Sequence, residues 1–262
     1  MQRKRLRNWL LAAAALAGAL ATPAGLDAQG RGGRAGGQGP AQAAQTARAA
    51  APIDLTGYWV AIVAEDWRWR MGVGQKGDFG YLPLNAEGRR VGNAWDPAAD
   101  AAAGNQCKAY GAVGIMRQPA RLNIAWENDT TLKIDIDNGT QTRRLNFGGA
   151  AAAASAEPSW QGYSVANWEV RGRGRGAPPP RTGELKVVTT RMRPGYYYKH
   201  GIPYSENATL TEYYARLSDE GDEYLAVTTM VDDPRYLAGQ FVRTLQFRRE
   251  PNGAKWNPTP CA

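Results

Sequence analysis

Histidine and cysteine are nearly absent from this chain: one His, His200, and two Cys, Cys107 and Cys261, among 262 residues. Those three side chains fit no usual ligand spacing, so no metal site is expected. A Walker loop, a nucleophile elbow and the CxxC and HExxH patterns are missing as well, which leaves nucleotide-driven, metal-hydrolytic and dithiol chemistry without a basis. No cofactor is expected. Phe is scarce too, four residues against nine Trp and twelve Tyr. Phe serves a dry core as well as either, whereas Trp and Tyr carry a polar handle useful at a wet or ligand-bearing surface.

Positive charge is in excess, but it is concentrated. Of the 32 Lys and Arg, seven lie in the first 52 residues against a single acid, Asp27, so the remainder holds 25 bases and 23 acids, about +2. That balance demands no nucleic-acid partner. The leading residues carry Arg3, Lys4, Arg5 and Arg7, then an apolar run from Trp9 to Ala21, then Leu26-Asp27-Ala28. Basic cluster, short apolar stretch and small-residue exit read as a signal peptide over residues 1–28, the apolar run being too short to span a bilayer comfortably. Cleavage after Ala28 leaves no stable membrane span, and the expected location is periplasmic or secreted. Residues 29–52 are mostly Gly, Ala and Gln and read as a disordered linker, because they cannot bury enough apolar surface to offset their ordering entropy. Residues 53–262 are expected to form one domain, and in an oxidising compartment a Cys107–Cys261 disulfide is expected.

Within that domain, strand patterns fall at 55–64, 121–127, 131–137, 141–147, 163–170, 185–193, 208–217, 223–231 and 240–249. Asn128-Asp129 and Asn138-Gly139 read as turns between neighbouring strands. Two stretches look helical, 85–95 with an Asn85 cap and 96–103. Residues 148–156 and 171–182 read as unstructured insertions. Short, regular spacing favours an all-β sandwich or barrel.

Asp54-Leu55-Thr56-Gly57-Tyr58-Trp59 resembles the G-x-W signature of lipocalins and related barrels. The resemblance implies an antiparallel lipocalin-like barrel with one or two short helices, in which the Trp plugs one end and a last-strand Arg (Arg243, Arg248 or Arg249) packs over it. A second resemblance covers nearly the whole domain: the chain is similar to a group of uncharacterised exported bacterial proteins that open with D-L-T-G-x-W. It is carried by Pro83-Leu84-Asn85-Ala86-Glu87-Gly88, the Cys107 region, Gly114-Ile115-Met116-Arg117-Gln118-Pro119, Trp160-Gln161-Gly162-Tyr163-Ser164 with Trp168-Glu169, Gly201-Ile202-Pro203-Tyr204-Ser205-Glu206, Thr211-Glu212, Asp232-Asp233-Pro234 and a late cysteine. Many members carry His where this chain has Tyr204, so His-centred chemistry is not carried over. The resemblance implies fold, export and site location rather than a reaction.

Glu65-Asp66-Trp67-Arg68-Trp69-Arg70 is the most unusual local run. If the first strand continues through it, Trp59, Trp67 and Trp69 share a face with Glu65, and Asp66, Arg68 and Arg70 take the other. One reading is an aromatic cup beside Arg donors; the other is core Trp with a solvated charged face. The expected ligand contacts are Trp67, Arg68, Trp69, Arg70 and Arg117, with Trp160, Tyr163, Tyr204 and Tyr214 among the aromatics. Glu212 shares a strand face with Leu210, Tyr214 and Arg216, and is either paired with an Arg such as Arg216 or desolvated. The first expectation for function is a carrier or sequestering module for a small hydrophobic, aromatic or amphipathic molecule. A cofactor-free isomerase, lyase or hydrolase using Glu212 or His200 is the rival. A protein-interaction module is the third class.

Overall fold

The computed structural model describes residues 45–170 and 182–262. The expected leader, most of the Gly/Ala/Gln segment and nearly all of the insertion at 171–182 lie outside the described residues. In chain order the elements are β1 (Gly57–Ile62), α1 (Trp67–Arg70), α2 (Ala86–Asn93), α3 (Pro97–Ala102), a 3-10 turn (Gln106–Tyr110), α4 (Ala112–Ile115), β2 (Arg121–Asn128), β3 (Thr131–Ile136) and β4 (Gln141–Phe147). They continue with α5 (Ala150–Ser155), β5 (Tyr163–Val170), β6 (Gly183–Thr190), β7 (Gly195–Tyr198), β8 (Ile202–Tyr204), β9 (Thr209–Asp219), β10 (Asp222–Asp232) and β11 (Phe241–Glu250).

Nine strands close into a barrel in the order β1-β11-β10-β9-β6-β5-β4-β3-β2, and β7 with β8 forms a separate hairpin. The interior-facing residues alternate with outward ones, as in Leu122 and Ile124 on β2, Val187 and Leu185 on β6, and Leu225 and Val227 on β10. That period of two is what lets a closed sheet fill its own centre with side chains. Every barrel pair is antiparallel except β4–β5, which run parallel over only three residue pairs, from Leu145↔Ser164 to Phe147↔Ala166. A parallel joint needs a connection that travels back along the barrel. Residues 148–162 provide it, and the Ala run there forms α5, where an unstructured insertion was expected. Ala has the highest intrinsic helix propensity, which accounts for the turn and a half.

The turns obey local chemistry. Gly139 has φ +80°, and a Cβ there would lie 2.2 Å from the Tyr110 ring, so only glycine fits the β3–β4 turn. Asn85 caps α2 by accepting from the Gly88 N–H at 2.9 Å, and Asp96 caps α3, whose first residue is Pro97.

One end of the barrel is plugged by Trp59, which is fully buried and donates its indole N–H to the Leu55 carbonyl at 3.0 Å. The Arg249 guanidinium lies 5.1 Å from the centre of that ring. Of the three arginines that the G-x-W resemblance offered, the last-strand residue opposite Trp59 in register is the one used. Residues ahead of 53 already contact this end: the Trp168 indole donates to the Ala47 carbonyl at 2.8 Å, and the Arg48 N–H to the Asp129 carbonyl at 3.1 Å. The contacts therefore begin within the segment expected to be a linker.

The other end is capped. Residues 63–120, the β7–β8 hairpin and the loop after β10 build a second hydrophobic cluster there, with Leu82, Val113, Tyr197, Tyr204 and Phe241 at its centre. The disulfide Cys107–Cys261, with Cα atoms 5.2 Å apart, joins the 3-10 turn of this cap to the segment after β11. No described helix is long and apolar enough to cross a membrane.

The first strand does not continue through residue 70. It stops at Ile62, and Asp66 adopts a left-handed conformation (φ 51°) that starts the single turn α1. Asp is among the few residues that tolerate this conformation, and two arginines hold its carboxylate in place. The face pattern expected from a strand is therefore replaced by a tight turn at the rim of the cap.

Candidate functional site

Two groups of buried charge hold several of the sequence-predicted residues. The first lies inside the barrel. Arg143 on β4 and Glu212 on β9 have fully buried side chains and meet in a bidentate pair, Nη2–Oε2 at 2.5 Å and Nη1–Oε1 at 2.9 Å. The Tyr214 hydroxyl donates to Glu212 Oε1 at 3.2 Å, Arg143 Nη2 also reaches Thr189 Oγ1 at 3.3 Å, and Ser164 Oγ lies 2.8 Å from Thr189. Burial works against the charge on Arg143, and the facing Glu212 carboxylate outweighs it, so the guanidinium is held more firmly protonated than usual. Burial, reinforced by Glu212, pushes the Tyr214 phenol up.

Glu212 is thus paired, as one of its two readings had it, but with Arg143. Arg216 instead pairs with Glu223 at the far end of β9. Arg143 was not foreseen as the partner, because it lies 69 residues from Glu212 in the chain. The signal was present: in Gln141–Phe147, Arg143 lies two residues from Leu145 and so shares its inward face.

The second group sits in the cap. Asp66 Oδ2 accepts from Arg117 Nη2 at 2.9 Å and from Arg243 Nε at 3.1 Å. Burial would raise the Asp66 pKa, but the hydrogen bonds and charges of both arginines overcome it and leave the carboxyl below its usual range. Arg117 is itself buried, stands 4.7 Å over the Tyr198 ring, and donates to the Tyr198 hydroxyl at 3.1 Å. Its Nε and Nη1 have no hydrogen-bond partner among the described residues. Arg70 is buried beneath it, donating through Nε to the Arg117 carbonyl at 2.9 Å and pairing with Glu65. Burial lowers the Arg70 pKa despite the facing Glu65.

His200 belongs to this layer. Its ring stacks on Tyr198 with centroids 5.5 Å apart, and Nε2 lies 2.7 Å from the Asp78 carbonyl. A carbonyl only accepts, so Nε2 carries the proton and Nδ1 is the unprotonated nitrogen. Nδ1 has no partner among the described residues, and a Cβ on Gly74 would lie 2.9 Å from it. Burial lowers the pKa of His200 against a smaller opposing pull from Asp78. The imidazole is a neutral tie between the hairpin tip and residues 74–78.

Above this layer lies an open cleft of about 350 Å³ lined by Asp66, Trp67, Arg68, Trp69 and Tyr81. Trp67 and Tyr81 are 67% and 68% exposed, high for such large aromatic side chains. Trp69 meets Tyr81 edge to face at 5.4 Å, its indole N–H has no partner among the described residues, and Arg243 lies 5.6 Å over Tyr81. Arg68 is fixed by Asp78 at 3.0 Å.

The fold therefore brings Trp67, Arg68 and Trp69 into one cleft, with Arg70, Arg117 and His200 behind it. Four expected contacts lie elsewhere. Tyr214 is inside the barrel. Tyr204 is buried in the cap core, its hydroxyl without a partner among the described residues and wedged against Gly111 and Gly195. Trp160 lies under Arg193 at 4.7 Å, and Tyr163 sits beside Gly149 at the start of β5. Asp66, Tyr81, Tyr198 and Arg243 were not foreseen, because tertiary contacts alone place them. Asp233 serves as a cap: it accepts from the Ser205 N–H and hydroxyl, both at 2.7 Å, and from the Arg235 N–H at 3.1 Å.

Comparison of the chain with protein-family models, with curated proteins and with solved structures finds no match in any of the three.

Proposed function

We propose that this protein is an exported carrier or sequestering module that binds a small aromatic or amphipathic molecule in the cleft over α1. The observation that carries the reading is the convergence of Trp67, Trp69 and Tyr81 with Arg68 around one hollow at the barrel rim. Exposed Trp and Tyr offer large stacking faces at little entropic cost, and each good aromatic contact is worth about 0.5–1.5 kcal/mol beyond area burial. The exposed guanidinium of Arg68, with Arg243 beside Tyr81, supplies donors for a polar or anionic group. The lipocalin-like reading of the barrel rests on the Trp59–Arg249 plug and the closed sheet. The disulfide supports a periplasmic or secreted location, since such bonds persist in oxidising compartments.

Support for binding over catalysis comes from the two groups offered for proton transfer. Both Glu212 oxygens are occupied inside a sealed interior, and His200 is covered by Gly74 and tied to a carbonyl. Neither meets a substrate without local opening.

The test is a titration of the full chain with a panel of small aromatic, fatty and sterol-like compounds, followed by Trp fluorescence, with each compound recovered and weighed by mass spectrometry. A saturable signal that Trp67→Ala and Arg68→Gln weaken about tenfold or more, with the compound intact, is the expected result. A compound recovered in altered form makes the protein an enzyme. Absence of any saturable signal removes the cleft reading and points to the exposed row Trp67, Met71, Val73 and Tyr81 as a protein-docking surface.

A further inference from the structure

Between α3, the 3-10 turn and the hairpin tip lies a second hollow of about 280 Å³, whose lining shares no residue with the cleft. Its walls are mainly apolar, from Val73, Trp95 and Ala109, and its polar groups include Asp100, Tyr196 and Lys199. The two charged residues are in opposite states. Asp100 receives the Tyr196 hydroxyl at 2.5 Å, the Lys108 ammonium at 2.8 Å and the Trp95 indole N–H at 3.1 Å. Burial would raise its pKa, and those donors override it and hold the carboxyl below the usual range. A carboxylate saturated in this way is a brace: it fixes the two aromatic rings that form the walls. Trp95 is held from its other side by the hairpin tip, where a Cβ on Gly201 (φ +80°) would lie 2.0 Å from the indole.

Lys199 has no such partner. It forms no ion pair among the described residues, and its ammonium rests 4.9 Å from the centre of the Tyr110 ring. A half-buried, unpaired ammonium at the edge of an apolar hollow with rigid aromatic walls selects for a flat apolar body with one negative charge. We infer that this hollow is a second binding site, for a small aromatic carboxylate whose ring lies against Trp95 and Tyr196 and whose carboxylate meets Lys199. The volume falls just below the usual range for ligand pockets, about 300–1,000 Å³, and so fits one ring with a short acid chain.

The test compares phenylacetate with its neutral amide, phenylacetamide, by calorimetry on the full chain. Phenylacetate is expected to bind about tenfold more tightly, the scale of one charge-assisted contact. Measured in a Trp67→Ala background, which removes the stacking face of the cleft over α1, Lys199→Gln should erase that preference and Lys199→Arg should keep it. Ala101→Phe, at an exposed position on α3 that lines the hollow, should abolish binding of both compounds. Circular dichroism and melting temperature establish that each variant is folded. Equal affinity for acid and amide overturns the proposal. So does a preference that survives Lys199→Gln in that background, or the absence of heat with either compound at millimolar concentration.

Discussion

The barrel interior and the cap both bury arginine against carboxylate, but one group is sealed from solvent and the other borders a cleft. Inside the barrel, Glu212 uses both oxygens on Arg143 and takes a further bond from Tyr214. In the cap, two arginines compete for one oxygen of Asp66, and Arg117 keeps donors with no acceptor. Arg143 Nε also lacks a partner among the described residues, but it is sealed in the interior, so this pair can only hold structure; it spans β4 to β9 across the short parallel joint, fastening from within the seam with fewest main-chain pairs. The unpartnered Arg117 nitrogens are buried too, but Asp66, which Arg117 holds, lines a solvent-facing cleft, which places this cluster next to a potential ligand. The location of unmet hydrogen-bonding capacity, rather than the amount of buried charge, separates the two roles.

Breaking the interior pair should have the largest effect. Glu212→Ala leaves the Arg143 charge buried without compensation, and the expected loss is about 3–5 kcal/mol in a denaturant titration. The double change Arg143→Met with Glu212→Leu should recover most of that loss, because neither charge is then stranded. A single substitution costing under about 1 kcal/mol would show that water reaches the interior. Reducing the disulfide comes next. It closes a loop with a sequence separation of 154, and its removal is expected to cost about 2–5 kcal/mol, read as a lower melting temperature under reductant.

The cap pair should respond differently. Asp66→Asn is expected to cost about 1–3 kcal/mol while tightening binding of an anionic aromatic probe, since it releases Arg117 and Arg243. Loss of stability without any gain in anion affinity would place those guanidiniums out of a ligand's reach. Because the folded Asp66 pKa lies below its unfolded value near 3.8, its contribution is present above that pH and fades as pH falls through the lowered value. The smallest effect concerns His200. Its folded pKa is lowered from 6.5, so the unfolded chain takes up protons first. Stability should therefore decline as pH falls below about 6.5 and level off once pH passes the folded value. His200→Gln should flatten that slope, and an unchanged slope would assign it to other groups.

The barrel was legible because alternation survives any tertiary context: the strands at 141–147 and 163–170 appear with the boundaries that the pattern implies. The cap at Asn85 was legible because capping is likewise a local matter. What escaped was set at a distance. The left-handed turn at Asp66 depends on Arg117 and Arg243, from a different part of the cap and from β11. The partner of Glu212 comes from a strand three places away around the sheet. The aromatic cleft was anticipated in part, since Trp67, Arg68 and Trp69 are adjacent in sequence, whereas Tyr81 joins them only through the loop that follows α1.

The pairing of β1 with β11 also sets the order in which the molecule can be assembled. Trp59 faces Arg249 in that register, so the first strand waits for the last before the sheet can close. Until residues 241–250 are available, β1 and β10 each present an unpaired edge, the kind of surface on which chains aggregate. Pairings between such distant segments also make for slow folding, because loop-closure entropy must be met before the contacts form. A nascent chain therefore has no closed intermediate in which to rest. Closure of the ring and formation of the Cys107–Cys261 bond both await residues 241–261, so the two events that complete the barrel depend on one segment.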